Sequence, residues 1–262
     1  MNKVISADGT PIAFERLGNG PPVIVVGGAN CDLAIIHPLA EALAQHFTVI
    51  NYDRRGRGNS SDTAPYTVER EIEDLAALLT DVGGTTSVYG HSAGAALVLH
   101  AAAHGLPFEK VILHDPPYGP DGEHARQSRE YADTLTKLLA DGRRSDAAAL
   151  FMTKVGTPPD AVAGMRTQPW WARMEALAPT LAYDSQVMGD LSRGGAIPTE
   201  VLGKVTPPTL VLSGERNAPW MINAGKQIAD GVPNGRHRLL PDQGHVVPPE
   251  VLVPTLVDYL VE

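Results

Sequence analysis

The chain of 262 residues is 43% hydrophobic and 19% charged, which provides enough apolar side chains for one folded domain and argues against disorder. A net charge of −9 disfavours nucleic acid and anionic membrane surfaces as partners, and the single cysteine, Cys31, excludes an internal disulfide and a cysteine-rich metal site. No apolar run reaches the roughly 18 residues of a membrane span, and the first residues lack the apolar stretch of a signal peptide. We therefore expect a cytoplasmic protein.

The first thirty residues predict a hairpin, a buried strand and a glycine loop. A turn at Asp8-Gly9 between two short apolar runs is typical of a β-hairpin. Pro22–Val26 is continuously apolar, which is typical of a strand buried on both faces of a sheet. The stretch Gly27-Gly28-Ala29-Asn30 then allows a sharp turn that presents backbone amides. By itself such a loop fits an oxyanion-binding loop and a plain strand-to-helix turn equally well.

The next segment alternates helix and strand. Residues 37–46 have helical spacing, residues 47–50 predict another buried strand, and Thr67 is a suitable N-cap for a helix that ends at Gly83-Gly84. Between them, residues 53–60 contain three arginines interleaved with glycines. We interpret this stretch as a structured loop whose arginines pair with nearby carboxylates, because an acidic protein is a poor candidate for a nucleic-acid patch.

The motif Gly90-His91-Ser92-Ala93-Gly94 lies between a β-branched run and an alanine-rich helical run. This context of strand, turn and helix is the one that a G-x-S-x-G nucleophile motif requires. A serine attacks only if a tight turn holds its hydroxyl outward, and the flanking glycines keep the neighbouring chain from crowding it. The helix behind the turn aims its N-terminal amides at the oxyanion that forms. The pattern therefore predicts that Ser92 is a nucleophile.

The alternation of strand and helix continues to residue 114 and then stops. Residues 119–205 contain helix-like pieces without a strand pattern, and strands resume at residues 208–214. We expect an α/β fold, in which a mostly parallel twisted sheet carries helices on both faces. In this interpretation residues 1–118 and 206–262 form the core domain, and residues 119–205 form an inserted helical cap.

A serine nucleophile needs a general base, and the chain has nine histidines. His245 follows a glycine in a loop after the last predicted strand, just before the final helix, and from there it can reach over the strand ends. The order serine, acid, histidine is also the one that this nucleophile motif keeps. We expect His245 to be the base and His91, beside the nucleophile, to pack against the loops.

These motifs together resemble the α/β-hydrolase superfamily over essentially the whole length of the chain. The resemblance rests on the Ser92 motif, the loop at residues 26–29, the arginine loop at residues 53–60 and Gly244-His245. The helical insertion lies where that family carries its lid. The resemblance implies an oxyanion hole made by two backbone amides, one from Ala93 after the nucleophile and one from Ala29 after the third strand.

The triad acid departs from the usual pattern of the superfamily. The common position follows the strand after the insertion in a G-x-x-D arrangement, where this chain has Gly214-Glu215-Arg216-Asn217. An asparagine can orient an imidazole but cannot balance its positive charge. A minority of the superfamily carries the acid one strand earlier, and zearalenone-type lactonases have His-Glu-Leu-Pro where this chain has His114-Asp115-Pro116-Pro117. We expect Asp115 to be the acid, with Glu215 as the alternative.

These residues predict a serine hydrolase that cleaves carboxyl esters or lactones through an acyl-serine intermediate, without a metal or cofactor. The same three residues also serve cofactor-free perhydrolases and C–C bond hydrolases, and Asn217 in place of an acid fits a non-catalytic ligand receptor. Turnover of a chromogenic ester separates the receptor from the enzymes, and dependence on hydrogen peroxide separates the perhydrolase from the hydrolase. The sequence leaves the oligomeric state and the individual small-molecule substrate open.

The substrate pocket is expected between the glycine loop and the cap. Its predicted lining favours an apolar acyl group or a lactone over a charged substrate, because two of the three tryptophans and several methionines lie in the cap. The residues expected to line it are Gly28, Asn30, Met165, Trp170 and Trp171.

Overall fold

Eight strands form one sheet in the computed structural model, which describes residues 1–262. The strands are β1 (Asn2–Ile5), β2 (Pro11–Leu17), β3 (Pro22–Val26), β4 (Thr48–Tyr52), β5 (Thr86–His91), β6 (Phe108–His114), β7 (Thr209–Gly214) and β8 (Gly235–Leu240). They lie in the order β1-β2-β4-β3-β5-β6-β7-β8. Only the pairs β1/β2 and β2/β4 are antiparallel, so the mostly parallel sheet is confirmed.

Twelve α-helices accompany the sheet. They are α1 (Leu33–Leu43), α2 (Val68–Asp81), α3 (Ala93–Ala103), α4 (Glu123–Ala140), α5 (Arg144–Lys154), α6 (Pro159–Met165), α7 (Trp171–Leu177), α8 (Leu181–Met188), α9 (Asp190–Arg193), α10 (Thr199–Leu202), α11 (Pro219–Gly231) and α12 (Pro249–Val261). A short 3₁₀ helix, Ala178–Thr180, joins α7 to α8. None of these helices combines the length and the hydropathy that spanning a membrane requires.

The side chains of the central strands alternate between two cores. On β3, Ile24 and Val26 pack with residues of α2, α3 and α11, whereas Val23 and Val25 pack with residues of α1 and α12. Because successive side chains of a strand point to opposite faces, a continuously apolar strand requires helices on both. The sheet with helices on both faces is therefore confirmed.

Residues 119–205, called the insertion below, contain helices α4 to α10 and no strand between β6 and β7. The insertion has a small core of its own, which includes Tyr131, Leu135, Trp171 and Leu181. Two of its helices, α9 and α10, have only four residues each, and sequence spacing did not predict them. Such short helices carry too little periodicity to be distinguished from loops.

Helix α1 begins earlier than residue 37, where the sequence spacing placed it. The Asp32 side chain accepts a hydrogen bond from the Ile35 amide at 3.2 Å, so α1 starts at Leu33 and continues through Pro38. Thr67 is the N-cap residue of α2 as expected, although its side chain makes no capping hydrogen bond.

The register of the sheet places the strand ends that carry the predicted site at one level. Val26 pairs with Gly90, His91 pairs with His114, and His114 pairs with Leu212. The carboxyl ends of β3, β5, β6 and β7 therefore form one edge, which is where α/β proteins place their binding sites.

Candidate active site

Ser92 occupies a strained turn between β5 and α3. Its backbone has φ 55° and ψ −124°, a conformation that costs a side-chain-bearing residue about 1–3 kcal/mol. Its amide donates to the carbonyl of His114 at 2.8 Å, which fixes the turn to the neighbouring strand. A Cβ at Gly90 would lie 2.6 Å from the Gly94 oxygen, and one at Gly94 would lie 2.5 Å from the Val26 oxygen. Both glycines are therefore required for the turn to close.

Three of the four non-glycine residues with positive φ lie at this edge of the sheet. They are Asn30, Ser92 and Asp115, with φ of 52°, 55° and 49°, and they follow β3, β5 and β6. Backbone strain of this kind persists where the surrounding structure over-determines it, and it concentrates at functional sites. The strained positions therefore mark the same edge that the sequence motifs predicted.

Asp115 is fully buried, and its carboxylate accepts two hydrogen bonds. Its amide continues the sheet by donating to the Leu212 carbonyl at 2.9 Å, and its left-handed backbone directs the carboxylate toward the end of β7. There Oδ1 accepts from the Gly214 amide at 3.2 Å, and Oδ2 accepts from Asn217 Nδ2 at 2.8 Å. The Nδ1 atom of His245 lies 3.3 Å from Oδ2, an ion-pair distance that does not meet the geometry of a full hydrogen bond.

His245 reaches Asp115 because its loop lies directly on the end of β7. A Cβ at Gly214 would come within 2.4 Å of the Gly244 carbonyl oxygen, so glycine at 214 permits this approach. The carbonyl of His245 in turn accepts a hydrogen bond from Nε2 of His91 at 2.9 Å. The His245 side chain keeps 34% of its surface exposed, so its ring borders solvent while Asp115 does not.

Glu215, the alternative acid, points elsewhere. It is exposed, and its Oε2 accepts from the Asp242 amide at 3.0 Å. The structure thus brings Asp115, and not Glu215, into contact with His245.

Three imidazoles surround the Asp115 carboxylate: His91, His114 and His245, called the histidine cluster below. Burial, together with the neighbouring imidazoles, lowers the pKa of His91 to about 3 and that of His114 to about 4, so both are neutral at pH 7. Burial would raise the pKa of Asp115, but contacts with His245, His114 and Asn217 outweigh it and hold this pKa below its ordinary value. The site therefore contains one negative charge, on Asp115, facing the neutral rings of His91 and His114.

A second buried ionic group braces the glycine loop. Arg54 bonds both oxygens of Glu71 at 2.6 Å, and Arg54 and Arg57 each donate to Asp184 Oδ1 at 2.8 Å. These four residues are called the arginine cluster below. Arg57 also donates to the carbonyl of Gly28 at 2.7 Å, which ties the loop containing Ala29 to the insertion residue Asp184. The expected pairing of these arginines with carboxylates is confirmed.

A cavity of about 450 Å³ lies between the strand ends and the insertion. The core contributes Ala29, Ser92, Ala93, Asn217, Trp220, Met221 and His245. The insertion contributes an apolar group, Tyr131, Phe151, Leu181 and Met188, and a polar group, Gln127, Ser128, Lys154, Asp184, Ser185 and Asp190. Ser92, His245, Ala29 and Ala93 thus border one space, and Asp115 stands behind His245.

The residues expected to line the pocket lie outside this cavity. Trp171 is buried within the insertion and donates to Ser145 Oγ at 2.9 Å, while Trp170 is 48% exposed and Met165 packs against the insertion core. Asn30 is buried with Nδ2 against the sulfur of Met174 at 3.2 Å, and Gly28 faces Ser92 and His91 from behind the loop. Contacts within the fold therefore hold Trp171, Met165 and Asn30, whereas Trp170 is exposed on the insertion.

Sequence analysis did not predict the polar residues that the insertion contributes to the cavity. Lys154 lies 3.1 Å from Asp190 and 3.8 Å from the centre of the Tyr131 ring, and Ser185 donates to Asp190 at 2.8 Å. These residues come from α4, α5, α8 and α9. Charged residues on short helices are usually solvated, so only the packing of those helices reveals that this group faces a cavity.

The chain is similar to known proteins over most of its length. The family model "Alpha/beta hydrolase family" matches residues 23–251. An alpha/beta hydrolase from Sphaerobacter thermophilus DSM 20745 is 50% identical with a TM-score of 0.88, covering 98% of this chain and 99% of that one. A thermophilic esterase from Thermogutta terrifontis is 25% identical with a TM-score of 0.72, covering 99% and 97%.

A curated relative of known activity matches part of the chain. N-formylmaleamate deformylase from Pseudomonas putida (strain KT2440) is 30% identical over 156 residues, which cover 57% of this chain and 58% of that protein. The chain spans about half the length of the curated relatives it matches. The family match, by contrast, extends over most of the chain and includes every residue of the site. The protein belongs to the alpha/beta hydrolase family.

Proposed function

We propose that this hydrolase cleaves carboxyl esters or lactones through an acyl-serine intermediate, with Ser92 as nucleophile, His245 as base and Asp115 as acid. The observation that carries the proposal is the 3.3 Å contact between His245 Nδ1 and the buried Asp115 carboxylate, beside the strained turn of Ser92. A proton on Nδ1 facing Asp115 leaves Nε2 of His245 free to accept the proton of the serine hydroxyl.

The proposed reaction follows from these positions. Ser92 Oγ attacks the substrate carbonyl while His245 takes its proton, and the Asp115 carboxylate balances the imidazolium charge. The amides of Ala29 and Ala93 bind the oxyanion, helped by the N-terminal dipole of α3. When the intermediate collapses, the leaving oxygen takes the proton from His245. A water molecule activated by His245 then hydrolyses the acyl-serine.

The insertion acts as the cap in this proposal and selects the substrate. Its apolar wall suits an acyl chain or lactone ring, while the group formed by Lys154, Asp184 and Asp190 suits a polar substituent. The cavity of about 450 Å³ accommodates a small or medium-sized molecule. The similarity of this chain to the Thermogutta esterase and the Pseudomonas deformylase supports hydrolysis at a carbonyl carbon.

The replacement Ser92→Ala tests the nucleophile. We expect kcat for an activated ester to fall by about 10³-fold or more, since loss of a nucleophilic serine leaves only residual catalysis. A fluorophosphonate probe should label wild-type Ser92, as located by peptide mass spectrometry, and should not label the variant. Ser61→Ala, at an exposed serine, is the matched control. A folded Ser92→Ala protein that keeps half its activity would refute the acyl-serine mechanism.

The substrate class is tested by measuring kcat/KM for a panel of short esters, long esters and lactones, each with and without hydrogen peroxide. We expect the esters or lactones with apolar acyl groups to give the highest kcat/KM and peroxide to add nothing. A reaction that depends on peroxide, or a fully charged substrate ranked first, would contradict this part of the proposal.

A further inference from the structure

Asn217 occupies the position where the superfamily usually carries the triad acid, and it touches the residue that replaces that acid. Its Nδ2 donates to Oδ2 of Asp115 at 2.8 Å, a shorter contact than the 3.3 Å between the same oxygen and His245. Asn217 is half-buried and also borders the cavity. Building on the proposed function, we infer that Asn217 is a positioning residue that holds the Asp115 carboxylate against His245 and limits this pair to one negative charge.

The carboxylate depends on few donors. Asp115 is fully buried, so water does not solvate it, and Oδ1 is satisfied only by the Gly214 amide at 3.2 Å. The 2.8 Å hydrogen bond from Asn217 is the shorter of the two that the carboxylate accepts. Hydrogen bonds to a charged group are worth more than neutral ones, and they fix its orientation. Removing the Asn217 amide should therefore let the carboxylate rotate away from His245.

The charge of the pair depends on an amide at position 217. The titratable groups that face Asp115 are Tyr89, His91, His114, His237 and His245, and none of them is a carboxylate. A carboxylate at position 217 would lie within hydrogen-bond distance of Oδ2, and two carboxylates that close cannot both ionise without a large cost. They would share a proton at low pH and repel each other at high pH. Asparagine supplies the donor without this titration.

The replacement Asn217→Asp therefore gives a distinctive pH profile. At acidic pH one carboxyl keeps its proton and donates to the other, as the amide did, so kcat should approach the wild-type value. As pH rises through about 6 to 9 this proton is lost, and like-charge repulsion should produce a descending limb in kcat that the wild type lacks. If Asn217 had only a structural role, its replacement would lower kcat at every pH and would add no descending limb to the pH profile.

Two further variants separate positioning from packing. Asn217→Ala removes the donor without adding charge, and we expect kcat to fall about tenfold with little change in KM, as for loss of a hydrogen bond to a charged group. Asn217→Ser, which keeps a shorter donor, should recover part of that loss. Arg216→Ala is the matched control, because Arg216 is 69% exposed and pairs only with the exposed Asp242. Thermal unfolding of each variant establishes that it is folded.

Exchanging the pair is the strictest test. The double variant Asp115→Asn/Asn217→Asp restores one amide and one carboxylate, and it puts the carboxylate at the usual position of the superfamily. We expect it to exceed the Asp115→Asn variant by tenfold or more at pH 7.

The outcomes distinguish this inference from the proposed function. If Ser92→Ala abolishes turnover but Asn217→Asp keeps a wild-type pH profile and Asn217→Ala a wild-type kcat, Asn217 is not a positioning residue and the triad stands. A double variant whose turnover at pH 7 does not exceed that of Asp115→Asn would also contradict the inference, because positions 115 and 217 would then not form a pair that can exchange its amide and its carboxylate. If Ser92→Ala keeps its activity, the proposed function fails first, whatever the Asn217 variants do.

Discussion

The arginine cluster and the histidine cluster are both buried at the same edge of the sheet, but they handle charge in opposite ways. The arginine cluster sets two guanidinium groups against two carboxylates, Glu71 and Asp184, through bonds of 2.6 to 2.8 Å. The histidine cluster sets a single carboxylate, Asp115, among imidazoles of which two, those of His91 and His114, are neutral at pH 7. The carboxylates of the first cluster are paired with guanidinium groups in the folded protein, whereas in the proposed reaction the Asp115 charge is balanced when His245 takes up a proton.

This difference separates a cluster that braces the fold from a cluster that takes part in the proposed reaction. The arginines of the balanced cluster are almost fully buried and hold the glycine loop through the Gly28 carbonyl. In the histidine cluster, the His245 side chain is 34% exposed, and its Nδ1 makes a contact of 3.3 Å with Asp115 that is not a full hydrogen bond. A site that must stabilise a charge formed during reaction needs an uncompensated partner in advance. We therefore expect changes in the two clusters to affect different measurements.

Asp115→Asn should have the largest effect, and it should act on rate. Loss of the carboxylate that faces the base lowers kcat by about 10⁴-fold in a serine triad, because the imidazolium is no longer balanced. The free energy of unfolding should fall by only about 1–2 kcal/mol, the cost of one mispaired buried hydrogen bond. Ester turnover and urea unfolding of the same preparation measure both. Near-normal kcat in a folded variant would remove Asp115 from the triad, and Glu215→Gln would be measured next.

Asp184→Asn should show the opposite pattern. It leaves Arg54 and Arg57 facing a single carboxylate in a buried site, and breaking such a group costs about 3–5 kcal/mol. The folded fraction should lose far less of its kcat than Asp115→Asn does, because Asp184 does not contact His245. Asp146→Asn is the matched control, since its pairs with Arg143 and Arg166 are exposed and worth about 0–1 kcal/mol. Equal losses of stability in the two variants would show that the buried cluster does not brace the fold.

Mild acid should weaken the fold through the histidine cluster. The pKa of His114 is about 4 in the folded protein because of burial, whereas an unfolded histidine titrates near 6.5. Between pH 7 and pH 5 the unfolded chain therefore binds a proton that the folded chain does not, so stability falls as pH falls, by about 2 kcal/mol for this residue. His91, whose pKa is lowered to about 3 mainly by burial, should add a contribution of similar size.

Urea unfolding at pH 7 and pH 5 measures this loss. His114→Gln should reduce it by about 2 kcal/mol, because the ionisable group is gone. His104→Gln, at an exposed histidine, should leave it unchanged. A wild-type free energy of unfolding that stays constant between these pH values would contradict a neutral buried His114.

Local patterns predicted most of the core correctly. The strands read as continuous apolar runs because they are buried on both faces, and the turn at Ser92 was readable because only glycines tolerate its contacts. The start of α1 was misplaced at residue 37 because the helical spacing of Leu39 and Leu43 begins there, whereas the Asp32 side chain caps a helix that starts four residues earlier, at Leu33. Helix caps, tight turns and strand patterns of this kind depend on residues that are close together in the sequence.

Local sequence patterns did not predict which residues line the cavity. Trp170 and Trp171 were expected to line the pocket because they give the cap apolar surface. Trp171 is buried in the core of the insertion and Trp170 is 48% exposed, and Lys154, Asp184 and Asp190 border the cavity instead. Which side of a short helix faces inward depends on the helices beside it, which are far apart in sequence.

The sequence by itself determined the order of strands and helices, the turn that carries Ser92 and the loop that carries His245. Each of these depends on residues within a few positions of one another. Only the tertiary structure decided which carboxylate meets His245, because Asp115, Asn217 and His245 are brought together by the pairing of β6, β7 and β8 across more than a hundred residues. Donors that are distant in the sequence fix the orientation of a buried carboxylate and stabilise its charge. A local sequence pattern does not contain these donors.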